Sequence, residues 1–129
     1  YTSHIFRKLK TKLHPDSLVS IQCTSPLVAP KSYWCVIRTL EAAGYRVRPF
    51  QATVPSFGIW GYALASLSEP DVDAFQLALD QGSFRFLNNS NLHELFVFPQ
   101  DIPSLTPEIN RLDNQALVRY YDEEWHGYD

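Results

Sequence analysis

Residues 30–67, PKSYWCVIRTLEAAGYRVRPFQATVPSFGIWGYALASL, carry the strongest structural pattern in this sequence. Between Pro30 and Ala43 the large apolar residues recur at intervals of three and four, which is the spacing of one helix face. Pro30 suits the first helical turn, because its missing N–H would be unpaired there in any case. Gly44 suits the left-handed residue that ends a helix. The pattern therefore predicts a helix that ends just before Gly44.

Two strand patterns follow this helix. Residues 45–54 partly alternate between apolar and polar side chains, and Pro49 among them indicates a bulge or an edge strand, because proline cannot donate a ladder hydrogen bond. After a short loop, residues 60–67 form a second β-type run. Gly61 lies in this run, where the missing side chain permits another part of the chain to approach closely. We expect the second strand to return antiparallel.

A helix and a strand are predicted upstream. In residues 1–13 apolar positions fall at helical spacing between basic residues, and residues 18–23 form a short, nearly continuous apolar run bounded by turn residues. Such a run is typical of a strand buried on both faces of a sheet. The order is then αβαββ, in which a strand, a crossover helix and a strand give parallel neighbours. We expect an α/β fold, the closing half of a doubly wound domain, with its last strand antiparallel.

The pattern weakens in the rest of the chain. Helices are predicted for residues 68–81, 91–96 and 114–125, whereas residues 99–107 are rich in proline and polar residues, as in a loop. We find no internal repeat and no low-complexity tract. This part of the sequence predicts an irregular helical C-terminal tail.

Composition indicates one ordinary globular domain. The chain has 129 residues, of which 45% are hydrophobic and 19% are charged, and its formal net charge is −3. Basic residues crowd the first helix, but no nucleic-acid-reading motif accompanies them, so we interpret them as a solvated helix face and predict no nucleic-acid partner. The 4 histidines lie far apart without ligand spacing, so we predict no metal site.

Compartment and chain extent are also predicted from composition. Cys23 and Cys35 lack the spacing of a metal or redox motif, so we expect buried free thiols and a reducing, cytoplasmic location. The sequence contains no run of about eighteen apolar residues that would span a membrane. It begins at Tyr1 inside a helical pattern and contains no methionine, so we expect a piece of a longer protein.

Several segments, in order along the chain, resemble the polyamine aminopropyltransferases, the spermidine synthase family. The most specific is Val54–Ser66, which is similar to the family's strand pair of Pro, aromatic, Gly, Gly-Phe and Ala-Ser. Together the segments resemble in particular a bacterial branch of the family whose longer members carry an N-terminal membrane part. The other matching segments keep the family's order and lie at residues 1–6, 19–26, 34–44, 110–114 and 119–125.

The resemblance implies a Rossmann-like fold of the class I methyltransferase type, of which this chain would be the C-terminal half. Residues 1–67 would form a partial methyltransferase-like α/β domain with its last strand antiparallel. Residues 68–129 would form a helical and irregular C-terminal extension that packs on it as a single structural unit. The αβαββ order predicted from the residues agrees with this fold.

The resemblance also implies an activity for the full-length protein, the transfer of an aminopropyl group from decarboxylated S-adenosylmethionine to a diamine in polyamine biosynthesis. The family places its glycine-rich nucleotide loop and its catalytic aspartate before the position at which this sequence starts. The 5 glycines here are scattered, and no glycine-rich loop follows a strand. We therefore expect a fragment that is inactive alone and contains no catalytic and no cofactor-binding residue.

Three residues match the amine pocket of the family. Gln22 ends the first predicted strand, where open α/β sheets bind ligands, and the alternative is a strand-end amide satisfied by the backbone. Phe57 stands where spermidine synthases commonly have a tyrosine, so the ring is retained and its hydroxyl is lost. Trp60 corresponds to a residue that faces the aliphatic part of the substrate, although a tryptophan at a strand start is as typical of a core.

A second hypothesis is a binding or assembly module without chemistry. If the preceding strands are missing, the strand predicted over residues 18–23 has an exposed edge that can pair with another chain. We therefore predict a homo-oligomer, or pairing with the missing N-terminal part. In the full-length protein, the resemblance implies a polyamine substrate as the partner.

Overall fold

The computed structural model describes residues 1–56, 58–68, 89–100, 102 and 104–126 of the chain. These residues form a mixed α/β structure. In chain order its elements are α1 (Ser3–Lys10), β1 (Leu18–Gln22), α2 (Pro30–Ala42), β2 (Arg46–Val54), β3 (Gly58–Ser66), α3 (Asn89–Leu92), a 3₁₀ helix (His93–Phe96) and α4 (Ala116–His126). The predicted αβαββ order of the first half is confirmed.

The ends of the helices follow from capping residues. α1 begins at Ser3 because the Thr2 hydroxyl caps it, accepting a hydrogen bond from the Ile5 N–H (3.3 Å). It ends at Lys10, before the end of the helix predicted over residues 1–13. α2 ends before Gly44, whose φ of 98° is the left-handed conformation that the sequence predicted for this position. The predicted helices over residues 91–96 and 114–125 are found as α3 with the 3₁₀ helix and as α4.

The helix predicted over residues 68–81 lies outside the described residues, apart from its first position. The loop predicted over residues 99–107 is confirmed at the positions that are described, which contain no helix or strand.

The three strands form one sheet in the order β1-β3-β2, and β3 is antiparallel to both neighbours. The last strand is thus antiparallel, as predicted. The expectation that β1 and β2 are parallel neighbours is wrong, because β3 lies between them, although both run in the same direction. The α2 crossover leaves a gap one strand wide, and β3 fills it. Among the described residues β2 is an edge strand, which is a position that Pro49 indicated.

The prediction that β1 is buried on both faces is also wrong for this chain. Ile21 is buried, but Leu18 is 53% exposed, and Ser20 and Gln22 are exposed as well. Alternate residues of a strand point to opposite faces, so only the face that carries Ile21 is covered. An apolar run does not show whether one face or both faces of a strand are covered, since the elements that cover them are not part of the strand's own sequence.

The core lies between α2 and the covered face of the sheet. Tyr33, Trp34, Ile37 and Leu40 are all at most 5% exposed and pack with the buried residues of β1 and β3 and with Phe6 of α1. Tyr33 and Trp34 are thus core residues and not part of a ligand surface. Because the helix is buried on several sides, it fixes the positions of the strand ends around it.

The segment after the 3₁₀ helix crosses the outer edge of β2. The Phe96 ring lies 5.4 Å from the Phe50 ring, while the Phe98 ring lies 6.0 Å from Trp34 on the other side of the strand. Between them, the Gln51 side-chain amide donates to the Val97 carbonyl at 3.3 Å. The segment therefore covers part of an edge that would otherwise be open to pairing with another strand.

Candidate functional site

Two of the three predicted substrate-binding residues line the same cavity. Gln22 is the last residue of β1 and Trp60 lies near the start of β3; a cavity of about 240 Å³ is lined by both, together with Val54 and Tyr62. The strand register explains why they meet. Gln22 pairs with Tyr62, and Trp60 lies two residues before Tyr62 on the same face of the sheet. Phe57, the third predicted residue, lies outside the described residues.

The walls of this cavity are aromatic and polar. Tyr62 stacks on Phe50, with ring centroids 5.1 Å apart and an angle of 15° between the planes. The backbone carbonyl of Gln22 accepts a hydrogen bond from the Tyr1 hydroxyl at 3.1 Å. The side-chain amide of Gln22, in contrast, makes no hydrogen bond within the described part of the chain. It can therefore accept and donate hydrogen bonds to a ligand.

Helix α4 is anchored next to this cavity. The Glu124 carboxylate accepts hydrogen bonds from the Lys31 N–H (2.7 Å), the Ser32 N–H (2.7 Å) and the Ser32 hydroxyl (2.8 Å). It thus satisfies free N–H groups at the start of α2 and lies at the positive end of that helix. The Trp125 indole N–H donates to the Thr24 hydroxyl at 3.2 Å, just after β1.

This anchoring brings aromatic rings of α4 against the candidate site. The Trp125 ring lies 6.3 Å from the Trp60 ring, with 37° between the planes, and 5.9 Å from the Tyr121 ring. Trp125 and Tyr121 also line a second cavity of about 210 Å³, together with Asp122 and His126. Trp60 of the first cavity is thus in ring contact with Trp125 of the second.

A third cavity, of about 290 Å³, lies between the end of β1, α2 and α4. Cys23 is among its lining residues, which raises the question of thiol chemistry. Burial raises the pKa of the Cys23 thiol from 9.0 to about 12, so the sulfur is protonated at neutral pH. Because the thiolate is the nucleophilic form, burial disfavours a nucleophilic role for Cys23. The predicted free thiols are found, with Cys35 buried and Cys23 partly buried.

We expect the stability of the chain to fall as the pH rises between about 9 and 12. Burial raises the pKa of Cys23 to about 12 and that of Cys35 to about 11, from 9.0 for both. A thiol whose pKa is raised by folding contributes its full stabilisation while the pH is below the pKa that the thiol has in the unfolded chain. This stabilisation is lost as the pH rises through the pKa that the thiol has in the folded chain. The pKa of Tyr33 is also raised, mainly by burial and in second place by the nearby Cys23.

Urea unfolding midpoints measured at pH 8 and pH 10 check this expectation. The Cys23→Ala variant should lose less stability between the two pH values than the unchanged chain, because one of the shifted groups is gone. A midpoint of the unchanged chain that stays constant or rises over this interval would contradict the argument.

Two residues of the candidate site were not predicted from the sequence. Tyr62 could have been found, because a strand places residues two positions apart on one face and Trp60 was already assigned to the pocket. Trp125 could not have been found in this way, since it lies on another helix far along the chain and its contact with Trp60 depends on how α4 packs against α2.

The described residues contain neither a group that could hold a metal ion nor a helix that could cross a membrane. No group of three His, Cys, Asp or Glu side chains that could hold a metal ion is found among them. No helix in the described part of the chain is long and apolar enough to cross a membrane.

The fold and the site together define a segment of a mixed α/β protein that has an aromatic and amide-lined pocket at the carboxyl end of a strand. Over 98% of its length the chain is 44% identical to polyamine aminopropyltransferase 2 of Ralstonia nicotianae. It is 46% identical over 97% of its length to the polyamine aminopropyltransferase of Leptospira interrogans, and 37% identical over 99% to polyamine aminopropyltransferase 1 of Streptomyces coelicolor.

In each of these three relatives the match covers 24% of the relative, so the chain spans about a quarter of the length of the curated relatives it matches. No protein-family model matches the chain. The identities nevertheless extend over nearly the whole chain, and the chain is therefore a homologue of one segment of the polyamine aminopropyltransferases, the spermidine synthase family. The resemblance noted in the sequence is confirmed.

Proposed function

We propose that this chain is the C-terminal segment of a spermidine synthase-like aminopropyltransferase and forms the amine side of its active site. On its own it binds the polyamine without transferring the aminopropyl group. The observation that carries the proposal is the meeting of Gln22 and Trp60 in one cavity at the end of β1. Both residues stand at positions that match the family's amine pocket, and they come from strands almost forty residues apart in sequence.

The chemistry of the cavity suits an alkyl diamine. The Gln22 side-chain oxygen can accept a hydrogen bond from an ammonium group, which offers donors only. The rings of Trp60 and Tyr62 can cover methylene groups and attract an ammonium ion to their faces. The buried indole N–H of Trp60 has no acceptor among the described residues, and an ammonium ion cannot provide one. The face of the indole, and not its N–H, is therefore the part that we assign to the cation.

In the proposed reaction of the full-length protein, the free amine of the diamine attacks the carbon beside the sulfonium sulfur of decarboxylated S-adenosylmethionine. A C–N bond forms, the C–S bond breaks with its electron pair going to sulfur, and the nitrogen loses one proton to a base. Gln22 and Trp60 would hold and orient the amine for this displacement. We assign the base to no residue of this chain.

We propose no site for the co-substrate in this chain. Binding of a nucleotide-like group at a strand end usually uses a glycine-rich turn whose backbone approaches the ligand closely. The connection from β1 to α2, residues 23–29, is CTSPLVA and contains no glycine. Thr24 and Ser25 in this turn are buried, and the Ser25 hydroxyl accepts hydrogen bonds from the N–H groups of Leu27 and Val28. The turn is thus closed by its own side chains.

The finer fold assignment is part of the same proposal. The strand order β1-β3-β2, with β3 antiparallel between two strands of equal direction, supports the closing half of a class I methyltransferase-type sheet. The free thiols support a reducing, cytoplasmic location.

Calorimetric titration of the purified chain with putrescine, spermidine and methylthioadenosine tests the proposal. We expect the two polyamines to bind and methylthioadenosine not to bind. Gln22→Ala should weaken polyamine binding about tenfold, because a hydrogen bond to a charged group contributes about 1.5 kcal/mol or more. Trp60→Leu, which keeps apolar volume but removes the π face, should weaken it by a similar factor.

Ser20→Ala is the matched control, since Ser20 is exposed on the same face of β1 two residues before Gln22. It should leave binding unchanged. Polyamine affinity that is the same in Gln22→Ala, Trp60→Leu and Ser20→Ala would show that the cations bind elsewhere and would contradict the proposal. Tight binding of methylthioadenosine would contradict the assignment of the nucleotide site to another part of the protein.

A second candidate function is that of an assembly module that pairs with another chain through a sheet edge. A different observation favours it. Within the described residues only one side of β1 is paired, and Leu18 on this strand is 53% exposed. Such an edge can pair with a second copy of the chain or with the rest of a longer protein. Sedimentation velocity over a range of concentrations distinguishes the candidates, because self-pairing increases the mass with concentration and a monodisperse monomer counts against it.

A further inference from the structure

The second cavity beside the candidate site has the composition of a cation site. It is lined by the rings of Tyr121 and Trp125, by the Asp122 carboxylate and by His126. Asp122 is exposed, and no cation in the described part of the chain pairs with it. A carboxylate beside two aromatic faces attracts an alkylammonium ion both by charge and by cation–π contact.

This cavity is placed next to the Gln22 cavity by specific contacts. Trp125 contacts Trp60 of the first cavity at 6.3 Å and Tyr121 of the second at 5.9 Å. Its indole N–H is fixed on Thr24, and the preceding residue, Glu124, is fixed on the start of α2. The last turn of α4 therefore holds its rings in a defined position, with Trp125 directly beside Trp60.

We propose that α4 extends the amine pocket and sets its preference for polyamine length. In this arrangement one ammonium group lies at Gln22 and Trp60, the aliphatic chain crosses the face of Trp125, and a more distant ammonium group of a longer polyamine lies at Asp122. Trp125 and Asp122 are thus specificity-determining residues. The inference rests on the proposed function, because it needs Gln22 and Trp60 to hold the first ammonium group.

The charge of the ligand is the reason for choosing a polyamine over another elongated molecule. A fatty acid or another anion would meet the Asp122 carboxylate and be repelled. A neutral alkyl chain would gain from the rings but not from the carboxylate. A linear cation with separated charges matches both cavities, and a diamine that is too short to reach the second cavity does not use Asp122.

Titration of the 129-residue chain with putrescine and spermidine at fixed ionic strength tests this inference. Asp122→Asn should weaken spermidine binding about fivefold and change putrescine binding by less than about twofold, because an exposed ion pair contributes up to about 1 kcal/mol. Trp125→Ala should weaken spermidine binding about tenfold, and Trp125→Phe, which keeps a π face, should retain most of the affinity. Glu123→Gln is the control for a lost charge on the same helix and should change neither ligand.

The outcomes separate the inference from the proposed function. If the unchanged chain binds neither polyamine, both are overturned. If Gln22→Ala weakens binding but Asp122→Asn affects putrescine and spermidine equally, or neither, the amine pocket stands and the role of α4 is overturned. Trp125→Ala also removes the contact with Thr24, so its melting temperature is measured alongside. Should this variant unfold, the ratio of spermidine to putrescine affinity in Asp122→Asn decides.

Discussion

Gly61→Ala is expected to destabilise the chain by about 3 kcal/mol, the largest effect among the substitutions considered. A Cβ at this position would lie 2.8 Å from the Thr24 carbonyl oxygen and closer still to the Tyr33 ring. Neither neighbour can move freely. The Thr24 carbonyl accepts the Gly61 N–H at 3.0 Å, and the fully buried Tyr33 donates its hydroxyl to the Tyr62 carbonyl at 2.8 Å. Urea unfolding followed by circular dichroism measures the loss.

Gly58→Ala is the matched control for this prediction. Gly58 begins the same strand with a φ of 80°, and no atom lies within 4 Å of a Cβ built there. We expect a smaller loss of about 1 kcal/mol, which comes from the left-handed backbone alone. Because Gly61 does not have a left-handed backbone, a loss in Gly61→Ala no larger than that in Gly58→Ala would show that Tyr33 and Thr24 accommodate a Cβ at position 61, and would contradict the prediction.

Glu124→Ala should destabilise the chain by about 2 kcal/mol and detach the last turn of α4. The carboxylate accepts three hydrogen bonds from Lys31 and Ser32 at the start of α2, where the helix dipole also favours a negative charge. A buried hydrogen bond to a charged group contributes about 1.5 to 3 kcal/mol. Because Glu124 is only half-buried, we expect its three hydrogen bonds together to contribute well below three times this amount. Removing them leaves N–H groups of α2 without a partner.

The adjacent Glu123 provides the control, because it is exposed on the same helix. Glu123→Ala should change the unfolding free energy by less than about 0.5 kcal/mol. Glu124→Gln should fall between the two, since it keeps an acceptor oxygen but loses the charge. The near-ultraviolet circular dichroism of the Trp60 and Trp125 pair should weaken in Glu124→Ala only. An unchanged spectrum in a destabilised Glu124→Ala variant would mean that Thr24 alone holds Trp125.

About half of the candidate site was predicted from the sequence. Gln22 and Trp60 were assigned from the family match, and the strand register then placed them in one cavity. Tyr62 could be predicted from Trp60, because side chains two positions apart in a strand lie on the same face of the sheet. Trp125 depends on a contact between two elements that are distant in sequence, and no local pattern encodes such a contact.

The errors in the fold have the same origin. Hydrophobic spacing predicted the strands and α2, since periodicity is a property of one segment. It did not predict that β3 lies between β1 and β2, or that one face of β1 is exposed at Leu18. Both depend on which segments fill the space beside a strand, and this is decided when the elements pack.

By itself, the sequence determined the order αβαββ, the end of α2 at Gly44 and the kinship with the polyamine aminopropyltransferases. These are encoded in local spacing, in backbone conformations open to few residues, and in side chains retained at matching positions. Only the tertiary structure decided the strand order, the anchoring of α4 by Glu124 and the placing of Trp125 against Trp60. The physical reason is that these contacts join segments far apart in the chain, and their geometry exists only once α2 and the sheet have packed.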